Sequence, residues 1–201
     1  MTGNGAGNAT GNATGNGARN GAGPGRLIAV VGPSGVGKDS LIDALIAAEP
    51  GMRRARRVIT RPASAGGEEF EGVSEAQFHR RREAGAFALS WGAHGLYYGI
   101  PIETVAAVTQ GAQLLANLSR GALSDAAARY PAVHVLSVTA PPEVLVERLA
   151  HRGRETQADI ARRLARPAAA PPPGMPVTSI ENAGPIADAV AAARAALGMG
   201  R

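Results

Sequence analysis

Short apolar runs and segments with helical spacing alternate along most of the chain. The predicted strands cover residues 26–31, 58–60, 86–91, 96–100, 112–119, 133–140 and 176–180. The predicted helices cover residues 40–48, 75–85, 103–110, 123–130, 141–152, 158–166 and 186–197. Because strands and helices alternate, the pattern predicts an α/β fold with a mostly parallel central sheet flanked by helices.

The first 25 residues have a different pattern from the rest. They are rich in Gly, Asn, Ala and Thr and lack large apolar side chains, which predicts a disordered low-complexity tail. Residues 26–198 are of a length typical of one domain, with a Pro/Ala linker at 167–176. Aromatic residues make up only 3% of the chain, so we expect a mostly aliphatic core.

Composition narrows the class of protein. The chain has no run of about 18 apolar residues and no basic start followed by an apolar run, so we expect neither a membrane span nor a signal peptide. It has no cysteine, which excludes disulfides and thiolate metal sites. These features are typical of a cytoplasmic enzyme.

The chain has a net charge of +5, and almost all of its positive charges are arginines. Such a charge suits nucleic acid, but the arginines lie in short clusters near candidate phosphate-binding segments, which favours small anionic substrates. The arginine runs at 53–57 and 80–82 are interpreted mainly as solvated faces. Of the 21 basic residues only Lys38 is a lysine, and it lies inside a glycine-rich loop.

That loop reads GPSGVGKDS and stands between a predicted strand and a predicted helix. This is the context of a P-loop, in which backbone N–H groups and the helix N-terminus bind the phosphates of ATP. Lys38 would neutralise charge on the transferred phosphoryl group, which makes it a catalytic candidate. The predicted nucleotide-binding residues of the loop are Gly32, Pro33, Ser34, Gly35, Val36, Gly37, Lys38, Asp39 and Ser40.

The loop departs from the common pattern directly after the lysine. The Ser or Thr that usually binds Mg²⁺ is replaced by Asp39, and Ser40 follows. One interpretation is that Asp39 is only a favourable charge at a helix N-terminus. The other is that Asp39, with Ser40, contributes to a Mg²⁺ site, because strand 112–119 ends without an aspartate.

Several motifs resemble the guanylate kinase superfamily. They are GPSGVGK in the loop, ITRP at 59–62, AFALSWGAHGLYYG at 86–99, and ERLAHRGRE with IARRL at 147–164. The resemblance covers residues 26–195 and implies a P-loop kinase fold with an acceptor-binding subdomain at about 57–100 and a lid at about 150–158. It implies that Arg61 and Tyr98 bind the acceptor phosphate. It also implies that lid arginines close over the ATP phosphates: Arg152 and Arg163 as catalytic residues, with Arg154 binding ATP.

Two positions separate the chain from the guanylate kinases themselves. Ser90 and Ile100 stand where we place the residues with which those enzymes read guanine. The motifs GPSGVGKDS, LSWGAHGLYYGIP, NLSR and VTAPPEVL instead resemble the ribose 1,5-bisphosphate phosphokinases of bacterial phosphonate catabolism. That resemblance implies transfer of the ATP γ-phosphoryl group to the 1-phosphate of ribose 1,5-bisphosphate, which gives 5-phospho-α-D-ribose 1-diphosphate (PRPP), with Mg²⁺.

The candidate residues for the acceptor are Arg57, Arg61, Ser90, His94, Tyr98, Asn117, Ser119 and Arg120. His94 is equally well explained as a turn residue, and the last three as an ordinary strand-to-helix cap. Two other functions stay open: a kinase for another nucleotide or sugar phosphate, and a non-catalytic interaction module. The expected partners are ATP and the phosphosugar, without nucleic acid or membrane, in a monomer or homodimer.

Overall fold

A computed structural model describes residues 24–62, 68–151 and 170–199 of the chain. The strands in these residues are β1 (Arg26–Val31), β2 (Met52–Arg54), β3 (Arg57–Ile59), β4 (Phe70–Gly72), β5 (Phe87–Ala93), β6 (Leu96–Pro101), β7 (Gln113–Asn117), β8 (Val133–Thr139) and β9 (Val177–Glu181). The helices are α1 (Lys38–Ala48), α2 (Glu75–Glu83), α3 (Glu103–Thr109), α4 (Leu123–Arg129), α5 (Pro142–His151) and α6 (Ile186–Ala196), with a 3₁₀ turn at Arg120–Ala122.

A parallel five-stranded sheet forms the centre of the molecule, in the order β2-β7-β1-β8-β9. Its middle strand, β1, is apolar throughout after Arg26 because both of its faces are covered. Leu27, Ala29 and Val31 belong to the cluster that includes α3 and α4 residues. Ile28 and Val30 belong to the cluster on the other face, with α1 and α6 residues. The predicted parallel sheet flanked by helices is therefore confirmed.

A second sheet of four strands, in the order β4-β3-β6-β5, is built from residues between Arg57 and Pro101. It is mixed, because β3 pairs with β4 in parallel and with β6 antiparallel. The chain enters it from β2, immediately after the Ala55 N–H donates to the Leu115 carbonyl of the central sheet. All the aromatic residues except Tyr130 lie in this region, where Phe78 stacks on Phe87 and Tyr97.

The predicted elements agree with the structure in type and order wherever the structure describes them. Strands β2 and β4 were not predicted, because each has only three residues and no clear alternation of apolar and polar positions. The helix predicted at 158–166, together with most of the lid and most of the tail, lies outside the described residues. Within the described ranges, no helix combines the length and hydropathy needed to cross a membrane.

One histidine inside the sheet generates a testable pH dependence of stability. His134 on β8 lies 3.0 Å from the Thr178 hydroxyl, and burial together with the nearby charge of Arg26 lowers its pKa from the usual value of 6.5. The unfolded chain therefore binds a proton just below pH 6.5 while the native state does not, so stability is lost as the pH falls through that range.

We expect His134→Gln to reduce this loss, because glutamine does not titrate and its amide still reaches Thr178. Urea unfolding of wild type and variant at pH 7.5 and pH 5 measures the difference. An equal loss of stability in the two proteins would contradict this assignment.

Candidate active site

The glycine-rich loop joins β1 to α1 in a conformation that its glycines make possible. Gly35 and Gly37 have φ values of 83° and 86°, in the left-handed region that other residues rarely adopt. A Cβ atom on Gly37 would also lie 2.6 Å from the side-chain nitrogen of Asn182. That nitrogen donates to the Val36 carbonyl at 2.8 Å, so the loop after β9 contacts the glycine loop directly.

Lys38 begins α1 and turns back over the loop. Its ammonium group donates to the carbonyl oxygens of Gly32 and Pro33, both at 2.9 Å. The first turn of α1 directs N–H groups without intrahelical partners towards the same region. The arrangement supplies one full positive charge and several backbone donors, which is what a polyphosphate needs.

A cavity of about 460 Å³ lies between this loop and the second sheet. It combines residues from the loop, the β5–β6 hairpin and the segment after β7. Its lining includes Gly32, Ser34, Gly35, Gly37, Lys38, Asp39, Ser40, Arg57, Trp91, Ala93, His94, Tyr98, Asn117, Leu118, Ser119, Arg120 and Gly121. Most of the residues predicted for ATP and acceptor binding therefore line one cavity.

The hairpin presents one particular face to this cavity. Its two-residue turn places both His94 and Gly95 at positive φ (54° and 73°), which matches a type I′ turn. His94 is therefore a turn residue that also lines the cavity. Trp91 pairs with Tyr98 across the hairpin, and their rings stack at 5.5 Å with an interplanar angle of 8°.

The register of the hairpin corrects the interpretation of Ser90. Ser90 pairs with Gly99, whereas Ile100 pairs with Leu89. Because successive side chains of a strand point to opposite faces, Ser90 lies on the face away from Trp91 and does not line the cavity. The side chain that faces Ile100 is Leu89, and both are buried in the core. Ile100 therefore faces the apolar side chain of Leu89 and not the hydroxyl group of Ser90.

Arg57 is a buried cation that joins the two sheets. It forms a two-pronged ion pair with Glu68, and its Nη1 donates to the Asn117 carbonyl at the end of β7 at 3.1 Å. Its guanidinium carbon also lies 5.1 Å from the centre of the Tyr98 ring. Several of its N–H groups are therefore used by protein groups, and these contacts hold it beside Tyr98 and the end of β7, where it also lines the cavity.

Asp39 is connected to the same group of residues. The Asn117 side-chain nitrogen donates to Asp39 Oδ1 at 3.0 Å, and Arg54 Nη1 lies 3.5 Å from that oxygen. Arg54 also lies 3.9 Å from Glu68 and pairs with Asp43 at 2.6 Å. Asp39, Arg54, Glu68, Arg57 and Asn117 thus form a closed ring of contacts, which we call the charge ring.

Arg54 was interpreted as a solvated charge, and that interpretation was wrong. Its side chain is only 12% exposed. The other polar residue that sequence reasoning missed in the charge ring is Glu68, whose side chain is 6% exposed. No local signal separates these two residues from their neighbours Arg53 and Glu69, since only the packing of distant segments buries one of each pair.

The cavity supplies oxygen ligands that suit Mg²⁺. The Asp39 carboxylate is 42% exposed, and both Asp39 and Ser40 line the cavity beside Lys38. The described residues contain no group of three or more His, Cys, Asp or Glu that could hold a metal ion by themselves. One or two protein oxygens fit Mg²⁺ that is bound mainly by phosphate and water.

A second cavity, of about 580 Å³, lies on the other side of the loop. It shares Gly35, Gly37 and Ser40 with the first cavity, so the loop forms part of the wall of both. Its remaining lining comes from α5 and the segment after β9, namely Val144, Glu147, Arg148, Asn182, Ala183, Gly184 and Ile186. Arg148 Nη1 donates to the Asn182 carbonyl at 2.8 Å and so connects these two segments.

The remaining predicted residues have different placements. Ser119 caps the 3₁₀ turn by accepting from the Gly121 N–H, and both Ser119 and Arg120 line the first cavity. Arg61 does not line it, and its guanidinium carbon lies 4.3 Å above the centre of the Phe70 ring. The lid candidates Arg152, Arg154 and Arg163 lie outside the described residues.

Comparison with protein families agrees with this fold. The guanylate kinase family model matches residues 24–170. The solved guanylate kinase of Anaplasma phagocytophilum has a similar fold, with a TM-score of 0.63 over 86% of this chain and 84% of that one, at 17% identity.

Closer similarity is found among curated proteins. The chain is 51% identical over 173 residues to ribose 1,5-bisphosphate phosphokinase PhnN of Ruegeria sp. (strain TM1040), covering 85% of this chain and 90% of that one. It is 48% identical over 180 residues to the protein of the same name from Pseudomonas paraeruginosa (strain DSM 24068 / PA7), covering 87% and 96%.

The charge ring generates a prediction about stability. We expect Glu68→Gln to lower the free energy of unfolding by about 3 kcal/mol, because it leaves the buried Arg57 cation without its anionic partner. The matched control is Glu69→Gln, since Glu69 is 78% exposed and its ion pair with Arg56 lies at the surface. We expect that control to change stability by about 0.5 kcal/mol or less. Equal effects in urea unfolding would contradict the assigned role of the Arg57–Glu68 pair.

Proposed function

Since the chain belongs to the guanylate kinase family and, within it, to the ribose 1,5-bisphosphate phosphokinases, we propose that it transfers the γ-phosphoryl group of ATP to the 1-phosphate of ribose 1,5-bisphosphate. The products are ADP and 5-phospho-α-D-ribose 1-diphosphate (PRPP). We propose phosphonate catabolism as the context in which the reaction is used.

The observation that carries the proposal is the first cavity. A single space is lined by Lys38 of the phosphate loop on one side and by Tyr98, His94 and Arg120 on the other. A donor phosphate held by the loop and an acceptor phosphate held by the hairpin side would therefore meet inside one enclosure. This proximity converts a bimolecular encounter into a positioned one.

The reaction needs charge neutralisation more than proton transfer. The bond between the γ-phosphorus and the oxygen that bridges it to the β-phosphorus breaks, and an oxygen of the acceptor phosphate forms the new bond to the γ-phosphorus. Because the acceptor phosphate is already ionised near neutral pH, it needs no general base. Lys38, the loop N–H groups and Arg120 supply positive charge where the transferred group is most anionic.

The second cavity is the proposed site for the nucleoside of ATP. It begins at the same loop glycines and continues between α5 and the segment after β9. ATP bound across the loop would place its base there and its γ-phosphate in the first cavity. Asp39 and Ser40 would contribute to binding Mg²⁺, which neutralises phosphate charge when bound.

The hairpin argues against a guanine nucleotide as acceptor. Leu89 and Ile100, which are buried and do not line the cavity, add no hydrogen-bond partner for the polar edge of guanine. A buried polar edge without partners costs heavily in specificity.

The direct test is turnover with ribose 1,5-bisphosphate and with GMP, followed by ³¹P NMR for the appearance of a diphosphate. We expect the bisphosphate to be consumed, and Lys38→Met to lower kcat by about 100-fold or more because it removes the cation at the transferred group. Preference for GMP would overturn the proposed acceptor. Failure with both acceptors would favour an interaction module.

The proposed metal role of Asp39 has its own test. We expect Asp39→Asn to raise the Mg²⁺ concentration for half-maximal activity, and to weaken binding of Mn²⁺·ADP measured by electron paramagnetic resonance, each by about tenfold. Asp43→Asn is the control, because Asp43 contacts the same arginine but does not line the cavity. An unchanged metal dependence in Asp39→Asn, or an equal shift in both variants, would exclude the role.

A further inference from the structure

We propose that Trp91 restricts the acceptor to a phosphosugar without a nucleobase, because its indole occupies the space in which a base would otherwise lie. The inference rests on the proposed function, in which Tyr98 lies beside the acceptor phosphate. It concerns a residue for which the sequence indicated no role.

The placement of Trp91 carries the first step. Its side chain is partly buried and lines the first cavity together with Tyr98 and Ala93. It also packs against the core cluster that contains Leu89 and Ile100. The indole therefore lies between the open cavity and the buried apolar pair.

The second step is the way the indole is held. Its ring stacks almost parallel to Tyr98, and Tyr98 in turn lies against the buried guanidinium of Arg57. Arg57 is fixed by Glu68 and by the Asn117 carbonyl. A ring supported in this way resists displacement by a ligand, since moving it disrupts the stack and uncovers apolar surface.

The third step is one of size and distance. In a nucleoside monophosphate the base is separated from the phosphate by one ribose. Trp91 is the direct cross-strand neighbour of Tyr98, so its indole lies at a comparable distance from the acceptor phosphate beside Tyr98. Indole and purine are both fused five- and six-membered rings of similar area. Removing the indole would therefore open a slot of purine dimensions, bordered by the core cluster that contains Leu89 and Ile100.

The slot would be apolar on the side of the hairpin. Leu89 and Ile100 are 2% and 0% exposed and carry no polar side-chain atoms. A base entering it would gain contact area and stacking on Tyr98, but no hydrogen bonds from these two residues. The expected gain is thus similar for adenine and guanine, and smaller for the single-ring pyrimidines.

The experiment measures AMP, GMP and UMP as competitive inhibitors against ribose 1,5-bisphosphate. We expect Trp91→Ala to lower the inhibition constants of AMP and GMP by about tenfold relative to wild type, through stacking in the opened slot, with a smaller change for UMP. Trp91→Phe retains a ring on Tyr98 and is expected to stay close to wild type.

The matched control is Tyr97→Leu, which truncates an aromatic residue of the same hairpin on the opposite face. We expect it to leave the inhibition constants unchanged. If Trp91→Ala does not fold, Trp91→Val takes its place, since valine is a β-branched residue that suits a strand and it still removes the bicycle.

Unchanged inhibition by the purine nucleotides in a folded Trp91→Ala or Trp91→Val protein would overturn the inference. So would an equal improvement for UMP, since that would indicate general loosening of the site. Failure of the proposed function has a different signature, namely no turnover of ribose 1,5-bisphosphate by wild type. In that case calorimetric titration of AMP into wild type and Trp91→Ala still tests the role of Trp91.

Discussion

The buried charge of Arg57 is the interaction on which the rest of the site depends. A guanidinium removed from water needs an anionic partner and fixed acceptors, and Arg57 finds them in Glu68 and in the Asn117 carbonyl. Arg57 itself lies in the second sheet and Asn117 ends a strand of the central sheet, so satisfying one cation also fixes the position of the β5–β6 hairpin relative to the phosphate loop. The charge ring extends the same constraint to Asp39, at the start of α1.

With that position fixed, the phosphate loop separates two cavities of different character. One opens towards the charged and aromatic residues of the hairpin side, and the other towards α5 and the segment after β9. A kinase must bind two anionic substrates close together without confusing their sites. In the proposed reaction, the loop separates the two sites as a shared wall, and its residues would contact the phosphates of ATP.

In our proposal, selectivity for the acceptor follows from shape and polarity on one face of the hairpin. Trp91 and Tyr98 stack on each other and line the cavity. Leu89 and Ile100 belong to the apolar core cluster against which Trp91 packs. The sequence indicated Ser90 and Ile100 together, whereas in the structure Ile100 pairs with Leu89 across the hairpin. The pairing depends on the turn and on an irregularity in β5 between Phe87 and Leu89, and a shift of one residue moves a side chain to the other face.

The sequence by itself determined the parallel sheet, the strand-loop-helix unit around Lys38 and the kinase family, because these depend on local spacing and on short motifs. The tertiary structure decided which charges are solvated and which are buried. Arg54 and Glu68 look no different from Arg53 and Glu69 along the chain, and they become members of the charge ring only because β2, β3, β7 and α1 converge. It also decided the register that puts Trp91 rather than Ser90 into the cavity. Local patterns encode local structure, whereas burial and register arise from contacts between residues far apart in sequence.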